Sequence, residues 1–105
     1  MKRTMKNKPL ILDILNYKLA VIFDSELQKR GSDGECDVEG GQIRIGANLP
    51  ARSFADVLLH ELLHAIVGIG LDKENRLTEL QINYISAVLS EVLRRNPGLK
   101  PILMP

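Results

Sequence analysis

The 105-residue sequence predicts an α+β fold: a short, twisted β-sheet containing a hairpin, packed on one central helix and closed by a C-terminal helix. Three observations lead there. YKLAVIF, residues 17–23, is dense in branched and aromatic residues and reads as a buried strand. CDVEGGQIRIG, residues 36–46, holds two short alternating runs around a Gly-Gly pair, a hairpin signal. Beyond Pro50, two long stretches have helical periodicity, the first apolar on almost every side and the second amphipathic.

Taken in order, residues 1–9 carry Lys2, Arg3, Lys6 and Lys8 and are expected to be a flexible, solvated terminus. In ILDILNYKLAVIF, Tyr17 to Phe23 is the strand, while Leu10 to Leu15 suits either a strand or a helical turn. RGSDGE, residues 30–35, is a loop of turn formers. In the hairpin Val38, Ile43 and Ile45 point inward, leaving Asp37, Glu39, Gln42 and Arg44 to water or a partner. Its glycines do not match a phosphate-binding loop, since no lysine followed by a hydroxyl residue completes one.

Ser53, with Asp56 three residues on, is the expected cap of a helix running to Gly68 or Gly70. Val57, Leu58, Leu59, Leu62, Leu63, Ala65, Ile66 and Val67 wrap nearly its whole circumference, so it should be covered on more than one face. The second helix begins between Asp72 and Thr78 and stops at RRNPG, where Arg94 and Arg95 suit its carbonyl end. Its expected inner stripe is Leu77, Leu80, Tyr84, Ile85, Val88, Leu89, Val92 and Leu93, with Glu79, Asn83, Ser86 and Ser90 along another side. Residues 98–105 form a tail, apolar enough to dock but interrupted by proline.

A chain of this length builds one domain around one core. With 45% hydrophobic and 26% charged residues and a net charge of +1, it has the composition of a soluble globular protein and lacks the charge of a generally basic nucleic-acid binder. The lone cysteine, Cys36, rules out an internal disulfide and fits a reducing cytosol. Asp13, Asn16 and Lys18 break the first apolar run, so no signal peptide is read there, and no window reaches the roughly 18 apolar residues of a membrane span. The expected location is therefore cytoplasmic, with no membrane partner.

LLHELLHAIVGIG, residues 58–70, places His60, Glu61 and His64 in an oily helix, where each unmatched polar group costs roughly 2–7 kcal/mol. Two histidines four residues apart are offset by only about 40° around a helix and lie one turn apart, so both rings can meet one ion. Glu61 flanks the pair, placed to take a proton from a water held at that ion. The alternative, two hydrogen-bonded core histidines, leaves the coincidence of both histidines and the glutamate in one motif unexplained. A zinc site needs a third protein ligand. No histidine remains, and Gly70 stands where the longer metzincin pattern requires one, so a carboxylate is the default. Glu79 fits best, on a helix that must pack against the first, with Asn83 one turn on to hydrogen-bond the ligand. Glu74, Asp72 and Cys36 are the other candidates. Cys36 otherwise reads as a small strand residue, and Tyr84 as core rather than as an oxyanion donor.

The short strands, the hairpin, "LLHELLHAI", the acidic residue early in the next helix and the terminal "LRRNP" together resemble the small metallopeptidases of phages and bacteria related to the ImmA/IrrE-like zincins. The likeness runs from about Tyr17 to Pro97 and is most specific at HELLH. It implies a minimal zincin fold, Zn2+ held by His60, His64 and Glu79, Glu61 as catalytic base, and hydrolysis of a peptide or protein substrate held along an edge strand. The sequence departs from larger glutamate zincins at Asn83, where those often carry Asp. Strand addition is expected on Gln42 to Gly46, which lies just before the helix. A different class of reading is a non-catalytic, zinc-stabilised module that binds a partner protein.

Overall fold

The computed structural model describes residues 10–105; the expected flexible basic terminus, residues 1–9, lies outside the described residues. The first strands, β1 (Leu10–Ile14) and β2 (Tyr17–Phe23), pair antiparallel from Leu10↔Val21 to Ile14↔Tyr17. Leu10 to Ile14 is thus strand, not helix. Only Leu15 and Asn16 join the two, a turn so tight that Leu15 takes a positive φ of 54°.

A short helix, α1 (Ser25–Lys29), follows, begun by Asp24, whose side chain accepts from the Glu26 N–H at 2.8 Å. It buries Leu27 completely. The expected hairpin then forms from β3 (Gly34–Asp37) and β4 (Gln42–Ile45), paired Gly34↔Ile45 to Asp37↔Gln42, but β3 takes in Gly34 and Glu35 of the expected loop and ends before Val38. Asp37 accepts from Gly40 N–H at 2.9 Å and Gly41 takes φ 70°, which together turn the chain. β4 also pairs parallel with β2, Ala20↔Gln42 to Phe23↔Ile45, so the sheet order is β1-β2-β4-β3.

That order corrects one expectation. β4 has neighbours on both sides, so the stretch from Gln42 lacks the open hydrogen-bonding edge that strand addition needs. The edges are β1 and β3, and β3 is the one lying against the central helix.

The central helix, α2 (Ala51–Gly70), begins at Pro50 with no side-chain cap, three residues before the expected cap at Ser53. Proline's fixed φ pre-forms that entry, and its carbonyl accepts from Phe54 N–H at 2.8 Å. Phe54, Val57, Leu58 and Ala65 pack on Leu19, Val21, Ile43 and Ile45 of the sheet, and each fully buried Leu or Ile contributes about 1.5–3 kcal/mol. The Phe23 and Phe54 rings meet with centroids 5.3 Å apart. At 20 residues and a mean hydropathy of 1.3, α2 reaches the length and composition of a membrane span, contrary to expectation; core helices of soluble proteins pass the same test.

A single 3-10 turn (Lys73–Asn75) leads to α3 (Glu79–Arg95), capped by Thr78 and Gln81, which accept reciprocally from each other's backbone N–H. Its orientation overturns the expected inner stripe. Ile82, Ser86 and Ser90 are the buried residues, and Leu80, Tyr84, Ile85, Val88, Leu89, Val92 and Leu93 are all exposed, Leu80 by 78% and Tyr84 by 69%. The serines face α2 because one of them is bonded there. Ser90 Oγ donates to Asp56 Oδ1 at 2.6 Å, and Arg94 donates to the same oxygen at 2.9 Å. The tail forms α4 (Leu99–Leu103), with Ile102, Leu103 and Met104 exposed rather than docked.

Candidate metal centre

α2 carries His60, Glu61 and His64 between the sheet and α3, and α3 begins at Glu79 beside them. The helical repeat turns the two imidazoles toward α3, with ring centroids 4.8 Å apart and planes inclined at 66°. Their Nε2 atoms lie 3.1 Å from each other. Glu79 closes the triangle: Oε1 is 3.0 Å from His60 Nε2 and Oε2 is 2.8 Å from His64 Nε2. These are the three residues singled out from sequence as ligands, and one atom from each lies within 4.8 Å of the others.

With Glu79 ionised, imidazole protons alone leave a conflict in this arrangement. If both rings carry the Nε2 proton to serve the carboxylate, the two protons face each other across 3.1 Å; if one ring does not, its lone pair faces the carboxylate's. Three lone pairs converging on one point suit a cation. A tetrahedral zinc with ligands at about 2.0–2.2 Å holds neighbouring donors about 3.3–3.5 Å apart, and the two imidazole nitrogens stand 3.1 Å apart with a Glu79 oxygen beside each. The donor set, two imidazoles and a carboxylate, is one that zinc takes.

Glu61, next to His60 on α2, packs against Gly34 of β3 and is only 7% exposed. It makes no hydrogen bond among the described residues. Burial pushes its carboxyl above the ordinary range, opposed by the nearby His60 and His64 and reinforced by Glu79 and Glu35. Gly34 makes room for it: a β-carbon there would meet Glu61 Oε2 at 2.9 Å and Val57 Cγ1 at 2.7 Å.

Two clefts flank this centre and share Glu61. One, of about 490 Å3, runs between the Gly31 to Gly34 loop and α3 and is lined by His60, Glu79 and Asn83. The other, of about 640 Å3, lies along Glu35 to Glu39 and reaches His64 and Arg76. The β3 edge therefore passes the donor triangle with open space before and after it.

Asn83 lines the first cleft one turn beyond Glu79, but its side chain makes no hydrogen bond to Glu79 among the described residues. The other ligand candidates stand apart from the triangle. Asp72 caps the 3-10 turn, accepting from Asn75 N–H at 3.1 Å, and Glu74 is exposed in the same turn. Cys36 lines the second cleft, with its thiol pushed up to about 11 by burial first and then by Glu61 and Asp37. Tyr84 belongs neither to the core nor to the two clefts; it points outward. Sequence reasoning missed Gly34, for which the Gly between Asp33 and Glu35 was the only signal, and missed the β3 edge. Compared with family models, with curated proteins and with solved structures, the chain matches none.

Proposed function

We propose that this chain is a zinc-dependent metallopeptidase of minimal zincin type, acting on peptide or protein substrates in the cytoplasm. The observation that carries the reading is the triangle of His60, His64 and Glu79 donor atoms at 2.8–3.1 Å, drawn from two helices. These three residues would hold the ion. Zinc bound there supplies Lewis acidity, polarising a carbonyl and bringing the pKa of water in its open position to near 7.

Glu61, buried beside the triangle and free of hydrogen bonds among the described residues, accepts the proton from the attacking water. It then returns that proton to the departing amine. The exposed edge of β3 aligns an extended substrate by main-chain hydrogen bonds, with the two clefts receiving its side chains on either side of the scissile bond.

A second reading has its own observation: the donors come from both α2 and α3, so a metal would also clamp these helices in a module that cleaves nothing. Glu61→Gln and Glu79→Ala, each assayed for bound zinc and for cleavage of a peptide library, separate the two. A peptidase keeps zinc but loses cleavage in the first and loses zinc in the second. A clamp gives no cleavage even with the unaltered chain.

A further inference from the structure

We infer that the outward face of α3 is the contact surface of a homodimer, in which two copies of this helix pack antiparallel across a two-fold axis. The inference is independent of the metal reading. It starts from the reversal of α3: Leu80, Tyr84, Val88 and Val92, spaced four apart, with Ile85 and Leu89 beside them, are between 36% and 78% exposed. Among the described residues, Leu80 and Tyr84 are left mostly open and the other four are partly covered.

Residues 80–93, fourteen in all, include a single charged side chain, Glu91. A helix face meant for water carries more, since charged side chains keep the surface solvated. The six apolar residues place roughly 500 Å2 of surface in water, near the top of the roughly 300–600 Å2 span of the largest patch on a typical monomer. Each partner in a standard dimer buries roughly 800 Å2, of which about 65% is apolar in homodimers. The patch supplies about that apolar share.

The pattern is also self-complementary. With the axis passing between Tyr84 and Val88, Tyr84 of one copy meets Val88 of the other, and Leu80 meets Val92. An isologous contact requires each pairing to occur twice in this way. The Asp56–Ser90–Arg94 network holds the opposite face of α3 to α2, so the apolar face is presented on a fixed helix.

Sedimentation of the full chain tests this. The expected species has twice the 11.7 kDa mass of the chain. Tyr84→Lys and Val88→Glu, made separately at these exposed positions, should each give a monomer with unchanged circular dichroism, weakening association by more than about a hundredfold, because each charge is felt at two symmetric contacts. Mixing the two monomeric variants should restore a dimer, because one Lys then faces one Glu and the second contact stays Tyr against Val. A natural chain that is monomeric at every concentration, as when a different protein covers this face, overturns the dimer; a dimer that survives both single substitutions does so too. A mixture that stays monomeric overturns the antiparallel arrangement.

Discussion

Gly34 lies so close over Glu61 that a β-carbon on the glycine would come within 2.9 Å of Oε2 and 3.0 Å of Cγ. The edge strand and Glu61 are thus fitted to one another, and the side of β3 facing α2 has no room for a side chain at this point. Gly34→Ala should destabilise the fold by about 1–3 kcal/mol, the usual cost of overpacking. It should also displace the Glu61 carboxyl, so cleavage falls further than zinc affinity. Urea unfolding and paired zinc and peptidase titrations check both parts.

Asp56 ties α3 to α2, and the Ser90 hydroxyl and the Arg94 guanidinium hold its carboxyl below the ordinary carboxylate range. The folded pKa is depressed, so the contribution is present above the unfolded value of about 3.9 and is lost as pH falls through the lower folded one. Stability of the natural chain should fall more steeply below about pH 4 than that of Asp56→Asn. Urea midpoints measured through the acid range give the two slopes; equal slopes contradict the assignment.

Leu15 combines a positive φ of 54° with 77% exposure in the two-residue turn between β1 and β2. A left-handed conformation costs a residue with a β-carbon about 1–2 kcal/mol, which glycine avoids. Leu15→Gly should therefore raise stability by about 1 kcal/mol after the extra unfolded-state entropy of glycine is subtracted. A thermal midpoint that drops instead would show that the turn does not need this geometry.

Cys36 is held as a thiol by its surroundings, with a pKa near 11 set mainly by burial. The thiolate is the reactive form, so alkylation by iodoacetamide at neutral pH should be slower than for an unfolded cysteine, and should accelerate only in strong alkali. A fast reaction at pH 7 would contradict this burial of the thiol.

The candidate metal ligands are legible because their signal is local or forced. Two histidines four apart must share a helix face, and the absence of a third histidine sends the search to a carboxylate on the helix that packs alongside. The hairpin and the RRNPG stop are likewise written in adjacent residues; the Thr78–Gln81 capping pair is too, but from sequence that start is expected only between Asp72 and Thr78. What failed depends on what lies opposite. The periodicity of α3 shows which face is apolar, not what lies against it; Ser86 and Ser90 are small enough to pack closely, and the bond from Ser90 to Asp56 holds the polar side inward instead. The parallel pairing of β2 with β4, which encloses β4 and exposes β3, arises from a crossover through α1 that no short window contains. Leu27, fully buried on α1, was passed over although Asp24 before Ser25 and Glu26 is a helix-start signal.

Zinc content per chain, measured after purification without added metal, tests the central relation between His60, His64 and Glu79 most directly. About one zinc per chain is expected, falling to near zero in His60→Ala and strongly reduced in Glu79→Ala, with Glu61→Gln unchanged. A natural chain that binds no zinc when supplied with it, or zinc that stays when His60 is replaced, contradicts the account.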